Sequence, residues 1–261
     1  MDIVIVILLV IAVLILVIAV VVKKKKPQGV VPFPETYRKL LREHVDFYNA
    51  LDEVKKIDFE NRLQFFLSGV RITGVKTTVE EIDKVLIAAG AIIPIFGFPG
   101  WEYINLHEVL LYPGSFNNTF NQDGDDRNTL GLVGTGPYQN IMILSQYDLR
   151  EGFANKTGKN NTAIHEFVHL VDKTDGAVDG IPEFLLSKQY VLPWLDLMHR
   201  EIKAIMDNRS DINPYGATNT AEFFAVAAEY FFERPDLLQI NHPELYSLLV
   251  TIFRQQPQKT A

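Results

Sequence analysis

Residues 163–172, AIHEFVHLVD, leave the chain few ways to fold. Ile164, Phe167, Val168, Leu170 and Val171 make the segment apolar nearly all round, and a helix of that kind is buried rather than laid on a surface. Yet it carries His165, Glu166 and His169, and buried imidazoles beside a carboxylate need partners. The two histidines are four positions apart, so on a helix they project from one face a single turn apart. At that separation two ring nitrogens can share one metal ion, while Glu166 reaches a water rather than the ion.

H-E-x-x-H on a helix is the signature of zinc metalloproteases, and a catalytic zinc needs a third protein ligand. The best donors lie about fifty residues on, in YGATNTAEFFAVAAEYFF from Tyr215 to Phe232. This segment reads as a second apolar helix, capped near Asn219 or Thr220. Before its end it carries two acidic groups, Glu222 and Glu229, seven residues apart and so on one face. Two carboxylates on an otherwise apolar face are costly to bury unless a cation neutralises them.

HEFVHLVD, then Tyr215 and Glu222-Phe-Phe-Ala, then Glu229-Tyr-Phe-Phe, resembles the Mlc titration factor family of zinc-dependent peptidases. A weaker similarity reaches the protease domain of anthrax lethal factor. The likeness extends to Trp101-Glu102, Val109–Pro113 and Ile141–Asp148, and covers most of residues 35–255. It implies a gluzincin-like fold with one zinc ion per chain, held by His165, His169 and Glu222. It also implies Glu166 as catalytic base and Tyr215 as a donor to the transition state. Glu229 is then either a partner that fixes a ligand imidazole or the mate of a nearby Arg or Lys. Asp172 divides the same way, between that role and a structural contact at the helix end. The family's namesake is known through contact with a transcriptional repressor, so a regulatory protein partner is a second expectation.

The N-terminus adds an appendage. An unbroken apolar run from Ile3 to Val22 is followed by four lysines, Lys23 to Lys26. Twenty apolar residues in a helix rise about 30 Å, the thickness of a bilayer's hydrocarbon core. A cleaved signal would carry its basic residues before a shorter apolar run. Residues 1–26 therefore read as a transmembrane anchor with a basic flank that can grip anionic lipid headgroups. Lysines on the C-terminal side alone keep that side cytoplasmic, which makes a single-pass protein with a cytoplasmic catalytic domain. Residues 27–34 read as a linker and 35–257 as the catalytic domain. The chain's formal net charge of −7 includes those lysines, so the domain itself is more acidic still and suited to no nucleic-acid partner. With no cysteine it needs no disulfide.

Between linker and motif the pattern is mixed. Helices are expected from Glu35 to about Val54, from Asp58 to Leu67, and from Thr78 to Ala89 with a stop at Gly90. Strands are expected at Val70–Thr73, Glu108–Tyr112 and Asn140–Ser145. The fold class is therefore α+β, a mainly helical zincin-like domain with a small mixed sheet. Residues 115–130, including Asp123-Gly-Asp-Asp126, read as a solvated loop that lacks the ligand spacing of a calcium site. His107 lacks a second histidine at 111, and Trp194 and His199 fall on a connecting helix. The expected substrate is a peptide, and Asn140, Ile141, Met142, Ile143 and Leu144 are the expected strand against which it pairs.

Overall fold

The structure, a computed structural model, describes residues 32–117, 129–134, 140–182 and 185–258. The chain divides into two units, residues 1–33 and 34–261, and the second is the subject below. The apolar run, its lysine flank, residues 27–31 of the linker and the acidic run at 123–126 lie outside the described residues. Among the described residues no helix is long and apolar enough to cross a membrane.

The domain opens with α1 (Glu35–His44), α2 (Asp46–Asn49) and α3 (Glu53–Gly69). The single helix expected over 35–54 is broken at Val45, whose backbone is extended. Side chains explain the break: Asn49 donates to the carbonyl of Arg42, and the Asp52 carboxylate caps α3 through the Lys55 amide. The turn carries Tyr48 inward, where its hydroxyl donates at 2.7 Å to Glu60, and Glu60 also accepts from Arg38. Helix α3 therefore starts five residues before the expected Asp58.

Next come β1 (Arg71–Gly74) and α4 (Glu81–Ile95), which opens on a reciprocal cap between Glu80 and Asp83. Helix α4 runs straight through Gly90. A Cβ on Gly90 would sit 2.6 Å from that of Ala163, so this glycine admits a neighbouring helix instead of ending its own. Strands β2 (Glu108–Tyr112), β3 (Gly131–Val133) and β4 (Ile141–Ser145) complete a four-stranded sheet in the order β1-β2-β4-β3. The first three in that order run parallel and β3 runs antiparallel to β4, so the sheet is mixed.

That order overturns one expectation. Strand β4 is interior, bonded along its length to β2 on one side and to β3 on the other. Among the described residues, Ile141 to Leu144 are bonded on both sides and have no free edge to offer an extended peptide. Among the described residues the edge on this side of the sheet is β3, three residues that follow the Asn- and Asp-rich stretch 115–130.

The remaining helices are α5 (Gln146–Ala154), α6 (Thr162–Asp172), α7 (Lys188–Met206), α8 (Thr220–Glu233), α9 (Pro235–Asn241) and α10 (Pro243–Phe253). Helix α6, which holds the HEFVH segment, packs against α4 and α8 and under β3 and β4. Val109, Leu111, Met142 and Leu144 on that face of the sheet are solvent-free, as are Phe167 and Val168 of α6. Helix α8 is held by Phe223, Phe224 and Phe231, which pack with Trp194 and Phe253. Burying each such ring contributes on the order of 1.5–3 kcal/mol. Both motif helices are thus pinned by the faces that carry no chemistry.

Candidate metal centre

Helix α6 starts at Asn161, whose side-chain oxygen accepts from the Ile164 amide. One turn on, His165 and His169 stand in a T-shaped contact with ring centroids 4.7 Å apart. Helix α8 starts on an equivalent cap, Asn219 to the Glu222 amide, which places Glu222 in its first turn facing both rings. His165 Nε2 lies 3.1 Å from His169 Nε2 and 3.0 Å from Glu222 Oε2, and the latter is 3.5 Å from His169 Nε2. Tetrahedral zinc with N and O ligands at about 2.0–2.2 Å sets its ligand atoms about 3.3–3.5 Å apart. The observed spacings match that size to within a few tenths of an ångström. Among the described residues this is the grouping of three acidic or imidazole side chains close enough to hold a metal.

The electrostatics answer to the same geometry. Burial is the largest influence on His165 and favours the neutral ring, but Glu229 and Glu222 outweigh it and hold the pKa well above the usual imidazole range. Burial would raise Glu222, yet the bonds from His165 and His169 prevail and draw it down to about 2. Glu166, only 6 % exposed, is raised by burial, with the two histidines acting against the shift. Two carboxylates from different helices, Glu222 of α8 and Glu166 of α6, are thereby driven apart, one held charged and the other pushed towards its neutral form.

Glu229 lies behind His165. Its Oε1 is 2.7 Å from His165 Nδ1 and its Oε2 accepts from the Asn161 amide at 2.5 Å. Of the two roles open to Glu229, the described contacts are those of a partner that orients the imidazole. Asp172 is fully buried, and its Oδ2 accepts from the Gly180 amide at 2.8 Å. The Gly180 carbonyl in turn accepts from the Trp194 indole. Gly180 has φ of +79°, and a Cβ there would meet the Thr220 carbonyl at 2.2 Å. Asp172 thus ties the end of α6 to the turn that abuts the start of α8. His169 Nδ1 is buried with no hydrogen-bond partner among the described residues.

Tyr215 stands in a 3-10 turn at Pro214–Ala217, where Asn213 accepts from its amide. Its ring centroid is 6.0 Å from that of His165, and the side chain is 53 % exposed. Burial of its inner part, with the charges of Glu222 and Glu166, raises its phenol above the usual range. Two residues here escaped the reading of the sequence. Asn161 is legible afterwards as the Asn that precedes a helical run. Gly131 of β3 packs directly on Glu166, and no local pattern marks it.

Two imidazole nitrogens and a carboxylate oxygen gathered this closely make a donor set for a divalent metal. A family model described as glucose-regulated metallo-peptidase M90 matches residues 21–254, and the chain belongs to that family of metallopeptidases. An uncharacterized protein of Synechocystis is 28 % identical over 87 % of this chain and 86 % of its own length. Mlc titration factor A of Edwardsiella ictaluri is 30 % identical over 69 % of this chain and 74 % of its own length. Mlc titration factor A of Pectobacterium atrosepticum is also 30 % identical, over 58 % of this chain and 60 % of its own length.

Proposed function

We propose that the chain is a membrane-anchored zinc peptidase that hydrolyses peptide bonds in the cytoplasm. His165, His169 and Glu222 hold the zinc and Glu166 is the base. The observation that carries this reading is the convergence of three ligand atoms beside a buried glutamate under a sheet edge. The donor set, two imidazoles and one carboxylate, is that of known catalytic zinc sites. When bound, the ion supplies Lewis acidity, which makes a water acidic near neutral pH and offsets the charge that develops on the scissile carbonyl.

The chain's own groups do the rest. Extended substrate pairs with β3 by strand addition. The Leu130 carbonyl accepts from the Ser145 amide and the Gly134 amide donates to Ile141, so residues 130 and 134 face β4. By the alternation of an antiparallel ladder, Gly131 and Val133 turn their amides and carbonyls to the free edge. Glu166 takes a proton from the attacking water as the C–O bond forms, then delivers it to the leaving nitrogen as the C–N bond breaks. Tyr215 donates from its phenol to the carbonyl oxygen as negative charge grows there. Glu229 keeps the proton on His165 Nδ1 and so leaves Nε2 free as a ligand. Anchoring rests on the apolar run at 3–22 and the lysines after it.

Glu166→Gln tests the reading. The variant is expected to keep one zinc per chain by elemental analysis and to lose at least about a hundredfold in cleavage of a mixed peptide library. Cleavage at the wild-type rate would remove Glu166 as the base. A second reading draws on the relatives, whose name speaks of titrating Mlc. It makes the chain a membrane-tethered binding protein that sequesters a cytoplasmic regulator, with proteolysis secondary. A cellular phenotype untouched by Glu166→Gln favours that reading.

A further inference from the structure

A glycine in a strand weakens it, because it packs nothing and loses more chain entropy on folding, so Gly131 in a three-residue edge strand calls for a reason. The backbone supplies none, since Gly131 is not among the glycines with positive φ. The ladder register does. Leu132, paired with Ile143, shares the sheet face that bears the outer cluster of Tyr112, Phe116 and Ile143. Strand alternation turns Gly131 to the opposite face, above α6. A Cβ built on Gly131 would lie 2.5 Å from both Cγ and Oε1 of Glu166 and 2.7 Å from its Cδ.

We infer that Gly131 is a positioning residue: the space left by its missing side chain is where the Glu166 carboxylate sits. Carbon atoms in contact prefer separations of about 3.5–4.0 Å, so a methyl group here requires a displacement of about 1 Å. The backbone of α6 is fixed between α4, α8 and the sheet, and the shift therefore falls on the torsions of Glu166. A misplacement of about 1 Å can cost on the order of a hundredfold in rate. The same absence brings the strand edge close to the base, so one residue sets the gap between the group that moves the proton and the backbone that holds the peptide.

This inference rests on Glu166 acting as the base, and the experiment separates the two. Gly131→Ala is made in the full-length wild type and in Glu166→Ala, with zinc per chain, melting temperature and peptide affinity measured for all. In the wild-type background kcat is expected to fall ten- to a hundredfold with KM and zinc content unchanged. In the Glu166→Ala background the same change is expected to leave peptide affinity and melting temperature where they were. A crystal structure of Gly131→Ala, which needs no activity, is expected to show the Glu166 carboxylate moved by about 1 Å. An unmoved carboxylate overturns the inference, as does a kcat within twofold of wild type. So does an equal loss of peptide affinity in both backgrounds, which would assign Gly131 to the pairing edge alone. A wild-type chain that cleaves no peptide counts against the proposed function, while the crystallographic result still decides the role of Gly131.

Discussion

A carboxylate behind a ligand imidazole acts through the ring, and Glu229 is placed to do so by two bonds at once, one to His165 and one to the amide that precedes α6. Glu229→Gln retains an acceptor for His165 but removes the charge. It is expected to weaken zinc binding about ten- to a hundredfold in competition with a chelator, with the far-ultraviolet circular dichroism unchanged. Unaltered affinity would reduce Glu229 to a packing group. At this scale the sequence was most informative where spacing alone fixes direction. An offset of four positions for the histidines and of seven for the glutamates puts each pair on one face, and the helices hold them there. Spacing alone does not say which glutamate faces both rings, because that depends on how two helices fifty residues apart cross; Glu222 is named only by the family resemblance, and it is the one that lies close to both histidines. Gly131 was not legible either, since its reason is a contact with a residue thirty-five positions away.

The two motif helices matter as a packed pair, and α4 is the third member that sets their depth. Gly90 of α4 meets Ala163 of α6 so closely that a single methyl would stand 2.6 Å from the facing one. Glycine to alanine inside a helix ordinarily stabilises by about 0.5–1 kcal/mol. Over-packing costs about 1–3 kcal/mol, and here it opposes that gain between two backbones rather than against a flexible tip. Gly90→Ala is therefore expected to lower stability in urea denaturation, and a stabilised variant would show that α4 and α6 can separate freely. The same contact explains a misread boundary. A glycine late in an apolar run signals a helix end in sequence terms, whereas this one serves a neighbour that local pattern cannot reveal. Val45 is the converse case: its residues fit one continuous helix, and the break follows from Asn49, Asp52 and the buried Tyr48–Glu60 bond. Strand existence was clear for β2 and β4, which are apolar and bounded by turn residues. Sheet order is not written in any local pattern, and so the expectation of a free edge at β4 fails.

Across the whole molecule, the stretch that brings Tyr215 to the site is tied down by groups other than the metal ligands. Asp211, four residues earlier, accepts from Lys159, Tyr230, Asn241 and His242, and His242 reaches back to Glu201 of α7. One carboxylate and one imidazole thus join the approach to α6, the end of α7, α8 and the α9–α10 junction. The hydrogen bond to Glu201 is the largest influence on His242, and with Asp211 it outweighs burial and raises the imidazole above its ordinary value. Burial works against Asp211, but the bonds from Lys159, His242 and Tyr230 hold it well below the usual carboxylate range. A raised His stabilises fully below about pH 6.5 and loses that contribution as pH rises through its folded pKa; a depressed Asp stabilises above about pH 4 and loses it as pH falls through its own. The knot is therefore strongest in mildly acid to neutral solution. His242→Gln keeps polarity but removes the charge, so its deficit in melting temperature against wild type is expected to be largest near pH 6 and to shrink towards pH 9. A deficit constant over that range would mean that His242 acts by shape alone. Because the knot includes none of the metal ligands, zinc content should stay constant throughout, while the Tyr215 turn, left with fewer ties, should become more open to protease cleavage in the variant than in wild type.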